Sequence, residues 1–343
     1  MTDDELRAAI GDAVCDVEPT DRLGEIRRAT HLPARRRWYV VGGAAVLAAA
    51  VVVTAVAVLA QGDAPRAADP IGPAATTRTS PTAISGPAVP VYYVGPGPDG
   101  PNAPASTLYR YFEHGGTPLD LLMRTPSDAD YRTLWPVGSL VVASDPEAGL
   151  VYVTLRDASL RERPDAMSEV EAELAVQQVV YTLTAALQDD FVVRFRYQDP
   201  NDDSTTVPLD RVLGIEIPEQ EVDGTTIPGS VRKAPQLDVL NEMSISDPAE
   251  GASYAGSFTA RGVSNGFEAS VYCRLIDANG TQVWDAPTTA GGWLEPRLFP
   301  WRLEVDLGNV EPGEYTFTCT TDDPTGGAEG YGAATDTRSL TVE

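Results

Sequence analysis

The sequence predicts a single transmembrane helix followed by an α+β domain, with helices on one face of a mixed sheet, and then by a C-terminal all-β sandwich. Three observations lead there. Trp38 to Ala60 is a 23-residue stretch without a charge, and between about Val89 and Gly214 β-rich runs alternate with helical ones. From about Leu237 to Glu343 short alternating runs are separated by turn residues and no helical period competes. A chain of 343 residues has room for two folded domains plus appendages.

The span is taken as 38–60. At about 1.5 Å per residue it reaches roughly 34 Å, enough to cross the hydrocarbon core of a bilayer. Val58-Leu59-Ala60 offers the alternative of a cleaved signal peptide, but the apolar part is long for one and 37 residues precede it. Arg27, Arg28, Arg35, Arg36 and Arg37 crowd the N-terminal flank, whereas the other flank begins Gln61-Gly62-Asp63. Positive flanks stay in the cytoplasm, which predicts a single-pass plasma-membrane protein with residues 1–37 inside and everything after Ala60 outside. Of 25 Lys+Arg and 50 Asp+Glu, 7 and 8 lie in the tail, which leaves 18 and 42 beyond the span and a formal charge of −24 there. Such a surface stays soluble and makes nucleic acid a poor partner.

The tail itself forms one short amphipathic helix from about Asp4 to Val14, then breaks at Pro19. It resembles the short tails before the span of many actinobacterial membrane proteins, anti-sigma-like ones included. It lacks the histidine and paired cysteines of a zinc-bearing anti-sigma domain. Residues 61–88, rich in Pro, Ala, Thr and Ser, have too few large apolar residues to build a core and are read as a stalk.

In the α+β domain, 89–214, the runs "VPVYYVG", "TLYRYF", "SLVVAS", "GLVYVTLR" and "FVVRFRY" are strands, and "TPLDLLMR" is a helix start with Thr117 as N-cap and Pro118 at the first helical position. The long helix begins at a capping box, Ser168 with Glu171, and Val176, Val179, Val180, Leu183 and Leu187 recur at three- and four-residue steps. Glutamates and the pair Gln177-Gln178 interrupt its apolar run, so it is not a second span but a covering helix, with no nucleophile-base couple on it. Residues 215–236 are a partly ordered linker. The sandwich, 237–343, is built from "MSISDP", "GSFTARGVS", "EASVYCRLID", "TQVWDA", "WRLEVDL", "GEYTFTCTTD" and "TRSLTV". Cys15 falls on the reducing side and Cys273 with Cys319 on the oxidising one, which predicts a Cys273–Cys319 disulfide.

Here the residues carry a resemblance. "EAELAVQQVVYTLTAAL", preceded by "TPLDLLMRTP", "LWPVGS" and "GLVYVTLRDASL", resembles the GerMN domain of sporulation and spore germination proteins over about Val89–Gly214. Members often place an acid in the strand before the serine-bearing loop, where this chain reads Val153-Thr154-Leu155-Arg156. "ISDPAEGASYAGSFTARGVSNGFEASVYCRLIDANGTQV" is similar to the immunoglobulin-like domain of bacterial spore germination, with a P-x-x-G turn at Pro248–Gly251 and the pair Phe267-Glu268. The resemblance implies an exported protein of envelope remodelling and supplies no catalytic residues.

Chemistry-bearing residues are sparse. His31 and His114 fall on opposite sides of the span, which rules out a two-histidine metal site or a histidine-based triad joining them. "GPGPDG" at 95–100 reads as a turn rather than a phosphate loop, Asp189-Asp190 and Asp202-Asp203 as solvated turns rather than calcium ligands, and Asn279-Gly280-Thr281 as a hairpin turn. No catalytic residue, cofactor or metal is expected. Phe267, Glu268, Trp293 and Trp301 form the candidate binding surface, since aromatic rings stack on sugar faces and peptides. The sequence thus predicts a non-enzymatic envelope protein that scaffolds, self-associates or binds an envelope partner. Its alternatives are a cell-wall glycan receptor, a wall-remodelling enzyme and a regulator of a sigma factor.

Overall fold

The computed structural model describes residues 88–100, 103–145, 149–198, 206–222, 224–325 and 331–343. The expected tail, the span and all but the last residue of the stalk lie outside the described residues, as do Cys15, His31, Asp202 and Asp203. Among the described residues no helix is long and apolar enough to cross a membrane.

The chain enters as a hairpin, β1 (Ala88–Pro96) and β2 (Ser106–His114), paired antiparallel from Ala88 opposite His114 to Pro96 opposite Ser106. Val91 and Tyr93 of β1 face one apolar cluster, Tyr92 and Val94 another. Burial on both faces explains why this strand is a continuous apolar run instead of an alternation. Next comes α1 (Pro118–Leu122), where the Thr117 hydroxyl accepts from the Asp120 amide and Pro118 opens the first turn.

β3 (Leu140–Asp145) and β4 (Leu150–Leu155) pair antiparallel. Then α2 (Glu169–Leu187) crosses over, and β5 (Val192–Gln198) returns parallel to β4. At the start of α2 the Ser168 hydroxyl accepts from the Glu171 amide and the Glu171 carboxylate from the Ser168 amide, a complete capping box. Val151, Val153, Leu155, Val193 and Phe195 turn one face of the sheet toward Ala172, Ala175, Val176, Val179, Val180 and Leu183 of α2. This is a helix covering a mixed sheet.

Two features go beyond that layout. The β1–β2 hairpin is a sheet of its own and not part of the mixed one. The free edge of β1 is filled instead: Val94 exchanges both backbone hydrogen bonds with Arg132, and the Tyr92 amide donates to Thr182 Oγ1 of α2 at 3.0 Å. Short pairings run just before and through the stretch read as a linker, 215–236. β6 (Thr206–Pro208) lies on β5, β7 (Arg211–Val212) pairs with β8 (Ile215–Glu216), and β9 (Gln220–Val222) with β10 (Thr225–Ile227). β11 (Ser230–Val231) then extends the mixed sheet to the order β11-β5-β4-β3, and α3 (Gln236–Val239) follows.

The pair Gln177-Gln178 explains how that stretch is held. Gln177 donates through Nε2 to the Arg232 carbonyl and accepts from the Ala234 amide, and the Tyr181 hydroxyl donates to the Ala234 carbonyl. Gln178, fully buried, accepts from the Leu134 amide. Glutamine, threonine and tyrosine on α2 thus meet backbone groups that no ladder reaches, as buried amides and carbonyls require.

The distal part is a two-sheet sandwich of β12 (Met243–Asp247), β13 (Ala252–Tyr254), β14 (Ser257–Ser264), β15 (Ser270–Asp277), β16 (Gln282–Thr289), β17 (Phe299–Asp306), β18 (Gly313–Thr321) and β19 (Thr335–Val342). One sheet runs β12-β14-β17 and the other β13-β19-β18-β15-β16. The seven expected runs match seven of these strands; the eighth, β13, is three residues long and pairs parallel with β19, too short to leave an alternation in sequence. Cys273 and Cys319 lie directly opposite on β15 and β18, fully buried, and are joined by a disulfide.

Two measurements follow from this packing. Replacing Thr182 with the isosteric valine strands the Tyr92 amide in the interior, and should lower unfolding free energy by about 1–3 kcal/mol in urea titrations. Replacing both Cys273 and Cys319 with alanine frees a loop with a sequence separation of 46. Chain entropy puts that loss at roughly 2–4 kcal/mol, read as a lower urea midpoint that reductant lowers no further.

Candidate functional site

Two loops at one end of the sandwich build the surface best suited to a partner. After β14 the chain turns at Asn265-Gly266 into a short 3-10 turn, Phe267–Ala269, in which Glu268 and Ala269 both take left-handed backbone angles, φ 52° and 59°. Two successive L-residues there are strained, by about 1–2 kcal/mol each. The loop between β16 and β17 comes alongside. Asn265, nearly buried, donates through Nδ2 to the carbonyls of Glu295 at 2.8 Å and Arg297 at 2.7 Å. The Ala290 amide donates to the Ala269 carbonyl, so the loops are stapled at both ends.

The staples hold Phe267 and Trp293 edge to face with ring centroids 5.3 Å apart. Both stay in solvent, at 42% and 36% exposure, beside Leu294 at 81%. Glu268 is also exposed, and Arg297 and Glu295 pair at the rim, Nε to Oε2 at 2.8 Å. An ordered aromatic pair with an adjacent aliphatic side chain and a charged rim can bury apolar area on a partner without first ordering itself.

Trp301 does not join them. It lies at 3% exposure in the sandwich core, and the expectation that it forms part of the surface is corrected. The reason is period two: Phe299, Trp301, Leu303 and Val305 face inward while Arg302, Glu304 and Asp306 face out. The indole lies over Gly262 on the neighbouring strand, where a Cβ would come within 2.5 Å of Trp301 Cζ2. Trp284 is likewise partly buried against the core.

The second polar constellation lies between the α+β part and the sandwich and was not anticipated. Arg338 of β19 is fully buried. Its Nη1 donates to Asp128 Oδ2 at 3.0 Å, to Asp336 Oδ1 at 2.9 Å, to the Tyr131 hydroxyl at 2.9 Å and to the Thr337 carbonyl, and its Nη2 donates to the Ile245 carbonyl at 2.6 Å. The Tyr131 hydroxyl donates to Asp336 Oδ1, and the Ile245 amide to Asp336 Oδ2. The rings of Tyr111 and Tyr131 lie 4.8 Å and 5.3 Å from the guanidinium carbon. No sequence signal links Arg338 to Asp128, which is 210 residues away.

Burial pushes the Asp128 carboxyl up to about 6 against the opposing pull of Arg338. For Arg338, burial disfavours the charge, but Asp336, Tyr131, Asp128 and Tyr111 outweigh it and hold the guanidinium protonated. Beside this core a cleft of about 270 Å³ is lined by Asp99, Tyr109, Asp130, Tyr131 and Asp336. Among the described residues no group of three or more His, Cys, Asp or Glu is placed to hold a metal ion.

The remaining singled-out residues are structural. Asp190 pairs with Lys233. Asp277 accepts from the amides of Asn279 and Thr281 in the turn between β15 and β16, where Gly280 has φ 79°. The stretch 95–100 ends β1 and turns toward β2.

A raised Asp128 has a signed consequence for stability. A carboxyl titrating near 3.8 in the unfolded chain and about 6 in the folded one keeps its proton longer in the fold. Its contribution is therefore fully present below the lower value and declines as pH rises through the window between the two. The charges of Glu250 and Asp130 add to the rise, while the Asp130 amide, which donates to Asp128 Oδ1, opposes it. Thermal midpoints of wild type minus Asp128→Asn, measured across pH 3.5–7, should fall with rising pH in that window and level off above it.

Residues 90–197 match the family described as "Sporulation and spore germination", and residues 242–328 match "Immunoglobulin-like domain of bacterial spore germination". Neither is a known enzyme family. No curated protein matches the chain. The crystal structure of CopC from Methylosinus trichosporium OB3b is similar at 18% identity over 30% of this chain and 93% of that one, with a TM-score of 0.20, too slight a likeness to carry an argument. The first match spans β1 to β5 and the second β12 to β18, so both Phe267 and Trp293 fall inside a matched stretch, whereas Arg338 and Asp336 fall outside both. The chain thus joins a region matching the sporulation and spore germination family to one matching the immunoglobulin-like domain of bacterial spore germination.

Proposed function

We propose that this is a non-enzymatic protein of the cell envelope, serving sporulation or germination. The Trp38–Ala60 helix anchors it in the plasma membrane, with the N-terminus in the cytoplasm and both domains outside, where it binds or scaffolds a partner through the distal sandwich. The observation that carries this reading is the exposed Phe267–Trp293 pair, pinned by Asn265 over a strained turn. Strain of that kind persists where the surroundings enforce it, and it clusters at sites of recognition. The matches to sporulation and spore germination over 90–197 and to the immunoglobulin-like domain of bacterial spore germination over 242–328 support this reading and name no reaction. The excess of acidic residues argues against nucleic acid.

A second reading, a receptor for cell-wall glycan, is favoured by the same rings, because an exposed indole stacks on the apolar face of a sugar. Both are tested together by co-sedimenting the full chain, in detergent, with purified peptidoglycan and with envelope membranes. Aromatic anchors at an interface are worth about 2 kcal/mol or more, so Phe267→Ala/Trp293→Ala should cut retention at least tenfold on the fraction that holds the partner. Loss on peptidoglycan selects the glycan receptor, and loss on membranes the protein partner. Undiminished retention on both sinks the reading.

A further inference from the structure

The face of the mixed sheet opposite α2 is only partly covered, and two arginines stand on it. The β9–β10 hairpin covers only one end of it, where Ile227 packs on Leu150 and Val192 with Tyr152 and Val222 alongside. Beyond that end the face carries Tyr152 and Thr154 of β4, Arg194 and Arg196 of β5 and, on the free edge strand β3, the exposed Val141. Arg132, Arg161, Arg163, Arg211 and Lys233 of the same half each pair with a carboxylate. Among the described residues no ion pair includes Arg194 or Arg196.

Both guanidiniums are nevertheless held in place. Arg196 donates through Nε to Thr154 Oγ1 at 2.8 Å and lies over the Tyr152 ring at 4.8 Å, and Arg194 donates through Nε to the Pro228 carbonyl at 3.1 Å. These bonds use the inner nitrogen of each fork, and among the described residues no hydrogen bond engages the Nη atoms of either. Two preordered forks with free outer donors, on alternate residues of one strand, stand about 6.6 Å apart along it at about 3.3 Å per residue. Acidic side chains at alternate positions of an extended peptide have the same repeat.

We propose that this face docks a short, extended acidic segment of a partner protein, with Arg194 and Arg196 each taking a carboxylate and Tyr152 flanking them. Charge complementarity selects the occupant. A chain of net charge −25 repels a long polyanion or an anionic bilayer over its whole surface. A segment with two or three carboxylates meets only the local positive field, because screening confines the interaction to about 8 Å in physiological salt. This surface is separate from the Phe267–Trp293 pair, so the inference goes beyond the function proposed above and can fail without it.

The test is fluorescence anisotropy with the full chain in detergent and a labelled, end-blocked Glu-Ser-Glu-Ser-Glu peptide, with its glutamine counterpart as reference. At physiological salt the acidic peptide should bind at least tenfold more tightly than the glutamine peptide, and Arg194→Gln/Arg196→Gln should remove that difference. Arg194→Lys/Arg196→Lys, which keeps both charges but not the forks, should retain part of it, which separates lost contact from lost fold. Arg261→Gln/Arg302→Gln on the distal sandwich changes net charge equally and should leave affinity within twofold. Equal weakening in that control, or no preference for the acidic peptide, overturns the proposal. So does tighter binding of polyglycerol phosphate or of phosphatidylglycerol vesicles that depends on the same two arginines, since it would assign the face to a wall polymer or a bilayer.

Discussion

The arrangement of the two folded parts depends on one buried cation. Arg338 has no exposed surface, and removing a guanidinium from water costs several kcal/mol unless its donors and charge are matched. The match is split: Asp336 and the Ile245 carbonyl come from the sandwich, while Asp128 and the Tyr131 hydroxyl come from the α+β part. Only when the parts dock is the charge compensated on both sides, although Nε keeps no partner, and any other relative placement is disfavoured by the cost of an uncompensated charge, about 3–5 kcal/mol for a buried pair broken on one side. Around it the register is fixed by weaker contacts, the Asn241 amide on the Leu108 carbonyl, the Arg110 amide on Ser244 Oγ and the Tyr109 hydroxyl on the Thr335 carbonyl. The described α+β part and sandwich are therefore joined through this core where composition alone suggests two domains on a linker.

That continuity begins at α2. A helix with Gln177, Gln178, Thr182 and Thr184 among its apolar residues looks poised for chemistry, yet each of these side chains serves a backbone group. Thr182 takes the Tyr92 amide, Gln178 the Leu134 amide and Gln177 both ends of the Arg232–Ala234 stretch, while Thr184 donates to the carbonyl one turn back. By tying residues 232–234 to the helix, α2 fixes where the chain leaves the α+β part. Leu240 then bridges to Leu108, and the sandwich starts in a set position. A covering helix thus also orients the next domain.

What was legible in sequence was what depends on near neighbours. Ser168 three residues before Glu171, Thr117 before Pro118 and the alternating runs of the sandwich all encode local hydrogen bonds or one-sided burial, and the elements they predict are present. The alternation of Phe299, Trp301, Leu303 and Val305 was legible too, and it places Trp301 inside, against the expectation that its ring joins the binding surface. The detached β1–β2 hairpin and the Arg338 core were not legible, because each rests on partners far apart in the chain whose pairing no periodicity reports. Asp128 sits in "TPSDADYR", a stretch with every mark of a solvated turn, and only a distant arginine makes it an interior group.

The proposed binding surfaces differ in how they are made ready, and the difference bears on what each can recognise. Phe267 and Trp293 are fixed by a neighbouring amide and a strained turn, so they offer shape and apolar area to a partner that fits the pair. Arg194 and Arg196 are fixed at Nε, Arg196 also over the Tyr152 ring, and leave planar, charged edges free, which favours a carboxylate at a set spacing over any apolar shape. Because the Arg338 core locks the α+β part to the sandwich, neither surface can turn independently to meet a partner. A ligand touching both must match their fixed separation, whereas two ligands can load independently. A body of this kind is suited to hold two partners at a constant distance, and less suited to closing around one.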